Sequence, residues 1–493
     1  MAIAMLRVCI SAFLVFGSLP NCIASAVDDC NTLSASLPGR VSFAGDAQYN
    51  ESIASYFYLQ ARLLPECVVR PTSAEQVSSA VALLGKSASP FAVRGGGHGS
   101  QTGAANTEGG VTIDMRSINS VETNGDGSLV AVGAGATWEQ VYSVLDQRNL
   151  SVLGGRASHV GVGGLLLGGG ISFFSPERGF ACDYVVNFQI VLASGKVTNA
   201  NATFNADLFV ALKGGSNNFG LVTRYDIETF SQGPFWGGGI VYTEEAFDQL
   251  VAAFTQGKQP ENHDPYTTLE PSFVYLGSLQ TFLSSSSLYY TKPVVNASSL
   301  AAFTSIQPQL SNTMRIANTT AFADEVFSLS TPDQSSVWAT TTFSITPDII
   351  SRILPIWRES ALAMNQVTNV TSSMTLQSIP PAAPRSDPNS LGFLPSSAPD
   401  KDLVLLLISI FFDDASAYTQ LDSITRDFIA DVDGVADDEG ANRPYTYLNY
   451  AAAWQDPLKD YGSASYTHLR NTAKKFDPSG VFQKQVGGYK LFG

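Results

Sequence analysis

Histidine and positive charge are scarce in this chain of 493 residues, which has four histidines and 28 Lys and Arg against 43 Asp and Glu. The net charge of −15 argues against nucleic acid or an anionic membrane as a partner, because both carry negative charge. His263 and His468 are isolated, and no spacing of His, Cys and carboxylates resembles a metal site. The motif Gly-x-Ser-x-Gly is absent, which disfavours a serine hydrolase.

The apolar run nearest the N-terminus, from Cys9 to Leu19, is too short to cross a bilayer. Arg7 precedes it and the small residues Ala24-Ser-Ala26 follow it, a pattern typical of a secretory signal. We therefore expect residues 1–26 to be a signal peptide. N-glycosylation sites of the type Asn-x-Ser/Thr agree with secretion and lie at Asn50, Asn149, Asn201, Asn296, Asn318 and Asn369.

Cysteine is also scarce, and three cysteines remain after residue 26, at Cys30, Cys67 and Cys182. An oxidising compartment favours a disulfide between two of them. We prefer Cys30 with Cys67, because this pair would tie down the new N-terminus and leave Cys182 free. Closing a loop of about 36 residues contributes roughly 3–4 kcal/mol in the chain-entropy model. The spacing alone leaves the other pairings open.

Two glycine-rich segments are the most informative features that the chain does contain. The first is Arg94-Gly-Gly-Gly-His98-Gly99, and the second runs from Gly161 to Gly170. Because glycine lacks Cβ, backbone N–H groups can approach a phosphate closely, so two such segments predict a dinucleotide held from both sides. The second segment is not a Rossmann fingerprint, since Leu166 stands where the third glycine is required. A histidine ring in such a loop fills part of the space that the glycines leave open. We therefore predict that His98 bonds to the ligand.

The periodicity of apolar residues predicts an α+β protein with two domains. Before residue 233 we expect short strands and amphipathic helices, namely strands at 68–71, 111–115, 129–133, 185–192 and 221–229 and helices at 73–84, 137–148 and 206–212. From 234 to 440 longer helical stretches and Ser/Thr-rich segments indicate a second domain. Its apolar strand Leu403–Phe412 predicts a sheet with one buried face.

Four motifs occur in a characteristic order along the chain: Pro71–Val77, the Arg-Gly-Gly-Gly-His segment, Lys213–Thr223 and the Tyr-x-Asn-Tyr of Tyr447–Tyr450. Together they resemble the FAD-linked oxidoreductases of the vanillyl-alcohol-oxidase/p-cresol-methylhydroxylase type, in the berberine-bridge-enzyme-like branch, and especially its secreted fungal members. The resemblance covers nearly the whole mature chain. It implies a PCMH-type FAD-binding domain of residues 27–233 completed by residues 441–493. Residues 234–440 would form the substrate domain, whose antiparallel sheet covers the flavin.

The resemblance also implies that His98 is joined covalently to the 8α-methyl carbon of the flavin. A hydrogen-bonded histidine that merely shapes the loop is the alternative. Many relatives make a second link through a cysteine in Gly-x-Cys-x-x-Val-Gly, but Ala157 stands at that place in Gly155–Gly161, so we expect a single link. The predicted FAD-binding residues are Arg94, Gly95, Gly96, Gly97, His98, Gly99, Val160, Gly161, Gly163, Gly164, Gly168, Gly169, Asp183 and Val185 near the ADP half, and Asn449 and Tyr450 at the flavin edge.

For catalysis the resemblance implies a tyrosine that accepts the proton of an alcohol while a hydride passes to flavin N5. Tyr447 matches this position, with a packing aromatic as the alternative. Gln377 matches a carboxylate of some relatives, and because an amide is not a base it would only orient the substrate. Val160 is small, which leaves a path for O₂ to the flavin.

The function that follows is an oxidase that acts on an alcohol, or on a comparable C–H or C–N bond, of a small specialised metabolite and returns electrons to O₂ as H₂O₂. No metal, nucleic acid or membrane is expected, and a monomer is expected. An oligosaccharide oxidase on the same fold is the first alternative. A redox-neutral flavoprotein cyclase or binding protein is the second.

Overall fold

The computed structural model describes residues 25–380, 388–392 and 403–492, and in these residues the chain has an α+β fold. Residues 1–24 of the predicted signal peptide lie outside them. Helix α1 (Ala26–Ser36) begins behind Ser25, whose hydroxyl accepts a hydrogen bond from the backbone N–H of Asp28. The disulfide Cys30–Cys67 that we preferred is present, and Cys182 is a buried free thiol.

A small sheet carries the first glycine segment. Its strands have the order β1-β2-β4-β3, with β2 and β3 parallel to β4, and they are β1 (Val41–Phe43), β2 (Cys67–Val69), β3 (Phe91–Arg94) and β4 (Val111–Asp114). The predicted helix at 73–84 is confirmed as Ala74–Leu84, because the Ser73 hydroxyl accepts a hydrogen bond from the N–H of Gln76 and caps it. The glycine segment starts where β3 leaves the edge of this sheet.

The second sheet is antiparallel and lies behind the second glycine segment. Its order is β5-β6-β10-β8-β9, built from β5 (Val121–Thr123), β6 (Leu129–Gly133), β8 (Val185–Val191), β9 (Val197–Asn201) and β10 (Leu221–Glu228). Two short strands, β7 (Leu150–Ser151) and β11 (Phe230–Ser231), pair with each other. After α1, the helices of this region are α2 (Ala47–Ala54), the capped helix α3 (Ala74–Leu84), α4 (Trp138–Asp146), α5 (Val162–Leu167), α6 (Ser175–Arg178) and α7 (Ala206–Leu212).

The third sheet is antiparallel and spans the predicted substrate domain. Its order is β15-β12-β14-β13-β18-β19-β17, with β16 beside β12, and the strands are β12 (Phe235–Thr243), β13 (Thr267–Leu276), β14 (Thr281–Tyr290), β15 (Gln309–Asn312), β16 (Arg315–Ala317), β17 (Ser335–Ser344), β18 (Val370–Ser378) and β19 (Leu403–Phe412). Its helices are α8 (Phe247–Gly257), α9 (Ala301–Thr304), α10 (Thr319–Ser328), α11 (Ile349–Val367) and α12 (Tyr418–Asp438).

The prediction of one buried face for Leu403–Phe412 is wrong, because both faces of this strand are buried. Val404, Leu406 and Ile408 join the core under the helices, whereas Leu403 and Leu405 join the core of the N-terminal region. The strand lies in the interior of the sheet between β18 and β17, so apolar groups cover it from two sides.

The C-terminal segment packs on the N-terminal region through α13 (Pro457–Asp460), α14 (Gly462–Phe476) and α15 (Val481–Lys484). The backbone N–H of Phe91 donates to the carbonyl of Gln485 at 2.8 Å, and the rings of Phe91 and Phe482 lie 5.9 Å apart. The end of the chain thereby supports β3 and the glycine segment that follows it. Among the described residues, no helix combines the length and apolar character that a membrane span requires.

Candidate active site

The two glycine segments touch each other at one point. A Cβ on Gly96 would lie 2.5 Å from the backbone nitrogen of Gly161, and a Cβ on Gly161 would lie 2.3 Å from that of Gly96. Such distances exclude any side chain at either residue, so glycine is required by the contact between the segments. Gly99 and Gly164, in contrast, have open space where a Cβ would point. The joined segments therefore form one backbone surface with an open side where a ligand can lie.

The other glycines of the second segment make room for protein. A Cβ on Gly168 would lie 2.1 Å from the amide oxygen of Asn449, and one on Gly163 would lie 3.0 Å from the carbonyl oxygen of Ala134. Gly169 has a φ of +108°, which other residues rarely adopt. Asn449 also donates through Nδ2 to the carbonyl of Leu165 at 3.1 Å. The Tyr-x-Asn-Tyr motif is thus seated directly on helix α5 and the end of the second segment.

Arg94 has its contacts inside the protein. Its guanidinium is fully buried, donates to the carbonyl groups of Ser52 and Ser55, and lies 3.8 Å above the ring centre of Tyr56. Asp114 is 3.9 Å away. In this position the Arg94 side chain links the C-terminal end of α2 to the glycine loop. We assign it the role of holding the loop in place.

His98 sits at the end of the first segment, and its Nε2 is buried without a hydrogen-bond partner among the described residues. Burial, with a smaller contribution from the neighbouring His159, lowers the pKa of His98 to about 4. The ring is therefore neutral near pH 7, with a lone pair on one nitrogen. A neutral imidazole with an unpaired buried nitrogen meets the chemical requirement for attachment to the flavin methyl carbon.

A partly buried network lies just before the second segment and was not foreseen from the sequence. The Arg156 guanidinium forms an ion pair with Glu270 of β13, and it donates to the Gln377 amide oxygen at 2.7 Å and to the Tyr450 hydroxyl at 2.8 Å. Burial opposes the positive charge, but the Glu270 carboxylate and nearby phenols offset it, so the pKa of Arg156 lies above its ordinary value. The network joins the glycine segment, the large sheet and the Tyr-x-Asn-Tyr motif.

The two tyrosines of the motif have different surroundings, although their rings are only 4.9 Å apart. The Tyr447 hydroxyl is buried and accepts hydrogen bonds from the Gly170 N–H at 3.1 Å and from Asn449 Nδ2 at 3.0 Å. Burial raises the pKa of Tyr447 above its ordinary value. The Tyr450 hydroxyl instead meets the Arg156 guanidinium and lies 3.4 Å from the Gln377 amide oxygen.

A cavity of about 430 Å³ adjoins this network, and Arg156, Glu270 and Gln377 form part of its wall. It lies among the start of β13, the ends of α8 and β18, and residues 171–176 behind the second glycine segment. Its volume suits a small organic molecule. Within the described ranges, no group of His, Cys, Asp and Glu is arranged to hold a metal ion.

The remaining predicted residues lie around the segments. Asp183 is buried and accepts hydrogen bonds from the Phe180 N–H at 3.2 Å and from Asn389 Nδ2 at 2.8 Å. Val185 begins β8 two residues later. Val160 packs against the N-terminal core, and its N–H donates to the carbonyl of Ala157 at 3.3 Å. These contacts place the residues near the segments without showing what they bind.

Comparison with known proteins agrees with this geometry. Residues 65–201 match the FAD binding domain family. Over 472 residues the chain is 35% identical to the FAD-dependent monooxygenase sdcF of Emericella nidulans, an alignment that covers 94% of this chain and 98% of that protein. The fold is similar to 6-hydroxy-D-nicotine oxidase from Arthrobacter nicotinovorans, with a TM-score of 0.78, 18% identity and coverage of 92% and 98%. It is also similar to glucooligosaccharide oxidase from Acremonium strictum, a protein with a 6-S-cysteinyl, 8α-N1-histidyl FAD (TM-score 0.76, 17% identity, coverage 94% and 99%).

The chain belongs to the FAD-linked oxidoreductases of the vanillyl-alcohol-oxidase/p-cresol-methylhydroxylase type, in the berberine-bridge-enzyme-like branch. It is an FAD-linked oxidoreductase. The residues present fit FAD, because the open backbone surface at Gly99 and Gly164 suits a phosphate group and the unpaired buried nitrogen of His98 suits the flavin edge.

Proposed function

We propose that this protein is an FAD-dependent oxidase that takes a hydride from an alcohol, or from a comparable C–H or C–N bond, of a small specialised metabolite. The observation that carries the proposal is the network that Arg156 forms with Glu270, Gln377 and Tyr450. Arg156, Glu270 and Gln377 line the cavity, and Tyr450 lies next to it through its contact with Arg156. When bound, FAD supplies the two-electron acceptor and returns the electrons to O₂ as H₂O₂. The protein supplies the group that removes the substrate proton and the pocket that orients the substrate.

Tyr450 is the better proton acceptor of the two tyrosines. The Arg156 guanidinium donates directly to its oxygen, and a positive donor stabilises a phenolate more than a phenol. Tyr447 lacks such a contact, because its hydroxyl accepts from neutral groups inside the protein. Tyr447 then serves to hold Gly170 and Asn449 in place. Gln377 keeps the orienting role, because its amide oxygen positions Arg156 and its side chain lines the cavity.

His98 is the proposed point of covalent attachment. Its neutral imidazole supports this role, and so does the histidyl-linked FAD of the glucooligosaccharide oxidase with a similar fold. That protein also carries a cysteinyl link, whereas Ala157 offers no sulfur at the matching position, so we propose a single link. Val160, which packs beside the first segment, is small enough to leave O₂ a path to the flavin.

A monooxygenase is the second candidate, because the relative with 35% identity bears that name. An oligosaccharide oxidase is the third, supported by the fold of the glucooligosaccharide oxidase. A redox-neutral cyclase or binding protein would leave the flavin oxidised when substrate is added. The cavity volume of about 430 Å³ favours a compact substrate over an extended sugar chain.

The decisive experiment mixes the purified holoenzyme without oxygen with benzyl alcohol, cinnamyl alcohol or cellobiose and follows the flavin absorbance. We expect an aromatic alcohol to bleach the flavin, and ¹⁸O₂ added afterwards to appear in hydrogen peroxide rather than in the organic product. Bleaching by cellobiose alone would establish the sugar oxidase. Incorporation of ¹⁸O into the product would establish the monooxygenase, and an unbleached flavin with a converted product would establish the redox-neutral reaction.

We further propose that residues 1–26 direct the chain to the secretory pathway, where it is N-glycosylated and acts as a monomer. The disulfide Cys30–Cys67 supports an oxidising compartment. The partition into residues 27–233 with 441–493 for FAD and 234–440 for the substrate is supported by the two separate apolar cores and by the packing of the C-terminal helices on the N-terminal region.

A further inference from the structure

Aromatic rings from separate parts of the chain surround His98. The Phe57 ring stacks on the imidazole with centres 4.2 Å apart and planes at 25°, and Tyr58 approaches it edge-on at 5.8 Å. Phe327 of α10 lies 6.5 Å from the imidazole, approaches the Phe57 ring at 6.0 Å and stacks on His159 at 4.0 Å. We call Phe57, Tyr58 and Phe327 the aromatic cage. One face of the imidazole is covered by Phe57, so the ring is held in a single plane.

The glycine segment itself holds Phe57 in this place. The N–H of Phe57 donates to the carbonyl of Gly97 at 3.1 Å. Arg94 donates to the carbonyl of Ser55 at 2.8 Å and stacks on Tyr56, so it anchors the residues just before Phe57. The first and fourth residues of the segment therefore fix the backbone whose ring covers His98. The proposed proton transfer and the substrate cavity do not involve Phe57.

We propose that Phe57 is a positioning residue for flavin attachment, because its ring fixes the plane of the His98 imidazole and keeps water from one face. The inference rests on the proposed covalent link at His98. Attachment joins an imidazole nitrogen to the methyl carbon of the flavin. The imidazole and the methyl group each lose one hydrogen, the two hydrogens and their electrons pass to the flavin ring system, and O₂ removes them as H₂O₂.

Attachment requires a neutral imidazole, because a protonated one has no lone pair for the new bond. Burial lowers the pKa of His98 to about 4. The titratable groups that face the imidazole are Tyr58 from the same segment as Phe57 and His159 from the loop before the second glycine segment, while α10 contributes the uncharged ring of Phe327. Loss of the Phe57 ring would admit water and move the His98 pKa towards its ordinary value of about 6.5.

The test measures attachment directly and needs no substrate. The full chain is produced in a riboflavin-limited host, FAD is added to the purified protein, and acid-stable flavin fluorescence on the denatured chain is followed with time. We expect Phe57→Leu, which keeps an apolar side chain, to slow attachment by about 10-fold to 100-fold. Phe57→Tyr should restore a rate close to that of the wild type. Phe204→Ala, at an exposed ring distant in sequence from the cage, is the matched control and should have no effect.

Two further readouts separate positioning from a purely structural role. Non-covalent FAD binding, measured by fluorescence quenching in the first seconds, should differ less than about threefold between Phe57→Leu and wild type, since the ring touches His98 rather than a phosphate site. The attachment rate of the wild type should be constant from pH 7.5 to about 5, whereas that of Phe57→Leu should fall below about pH 6.5. Equal rates and equal pH profiles in the two proteins, or an attachment defect matched by an equal loss of FAD binding, would overturn the inference. Acid-stable flavin on His98→Ala would instead overturn the proposed link itself.

Discussion

The His98 region and the Arg156 region treat a buried nitrogen base in opposite ways. His98 is enclosed by aromatic rings, has an unpaired nitrogen, and has a pKa lowered to about 4. Arg156 is enclosed by a carboxylate, an amide and a phenol, and has a pKa raised above its ordinary value. Burial opposes positive charge in both places. The partners of each group decide the direction in which its pKa moves from its ordinary value.

The difference suits two different chemical tasks. Attachment of a cofactor needs a lone pair, which the apolar surroundings of His98 preserve. The proposed removal of a substrate proton needs an acceptor beside a positive charge, and the charged donor Arg156 contacts the Tyr450 hydroxyl at 2.8 Å. The protein thus holds a neutral base in one region and a permanent cation in the other.

Removal of the His98 imidazole should abolish covalent attachment. We expect His98→Ala to show no acid-stable flavin on a denaturing gel, because the variant lacks the imidazole that stacks on Phe57 at the end of the first glycine segment. His159→Ala is the control and should keep the label, since the His159 side chain is about half exposed and stacks on Phe327 rather than on Phe57. A label that persists in His98→Ala and is lost in His159→Ala would exchange the roles of the two histidines.

Removal of the phenol hydroxyl that meets Arg156 should slow flavin reduction by about 10²-fold to 10⁴-fold. The variant is Tyr450→Phe, and stopped-flow absorbance under anaerobic conditions measures the rate with whichever alcohol reduces the wild type. Tyr447→Phe is the matched comparison and should cost less, because the Tyr447 hydroxyl accepts from the uncharged Gly170 N–H and Asn449 amide rather than from a guanidinium. A larger loss in Tyr447→Phe would return the proton-accepting role to that residue.

Breaking the ion pair of Arg156 and Glu270, whose side chains are 10% and 14% exposed, should destabilise the protein by up to about 3 kcal/mol, because one charge would remain largely enclosed without its partner. Arg156→Met and Glu270→Leu are the single variants, and urea unfolding of the flavin-free protein gives the free energy. The double variant should recover most of the loss, since it buries no charge. Single variants that unfold like the wild type would show that water screens the pair.

The low pKa of His98 predicts an acid-dependent loss of stability in the flavin-free protein. The folded pKa of about 4 lies below the unfolded value of about 6.5, so the unfolded chain binds more protons between these pH values. The free energy of unfolding should therefore fall by up to about 3 kcal/mol as the pH drops from 6.5 to 4. His98→Gln lacks this titration, and its unfolding free energy should fall less over the same range.

Introduction of a thiol at position 157 should add a second covalent link between the chain and the flavin in part of the molecules. Ala157→Cys is the variant, and mass spectrometry of a protease digest should find the His98 peptide and the peptide with the new thiol joined through one flavin. Catalysis should change little, because Tyr450 and Arg156 remain. A thiol that reacts freely with Ellman's reagent while FAD is bound would place Ala157 away from the flavin.

The sequence predicted local elements well where propensity and burial agreed. The strand at 129–133 and the helix at 206–212 have the bounds that periodicity indicated. Leu403–Phe412 also has the expected bounds, but its second buried face was missed because an apolar run does not show how many layers will cover it. Arg94 was assigned to the cofactor from its place beside the glycines, yet its contacts are with Ser52, Ser55 and Tyr56.

The network around Arg156 was beyond reach from the sequence. Arg156 lies close to the second glycine segment in the sequence, but Glu270 is 114 residues away from it along the chain and Tyr450 is 294 residues away. No local pattern marks such a pair, since each residue type is common and neither lies in a motif with the other. The sequence held one signal for this network, namely the charged residue Arg156 close to a glycine segment that is otherwise apolar.

The sequence by itself determined the class of protein, because glycine spacing and short aromatic motifs are written in consecutive residues and reflect what a backbone can approach. It also determined the sites of strands and helices, which follow from local periodicity. Only the tertiary structure decided the directions of the pKa shifts of His98 and Arg156 and the different surroundings of Tyr447 and Tyr450. The physical reason is that a pKa depends on which groups surround an atom in space, and folding brings those groups from distant parts of the chain.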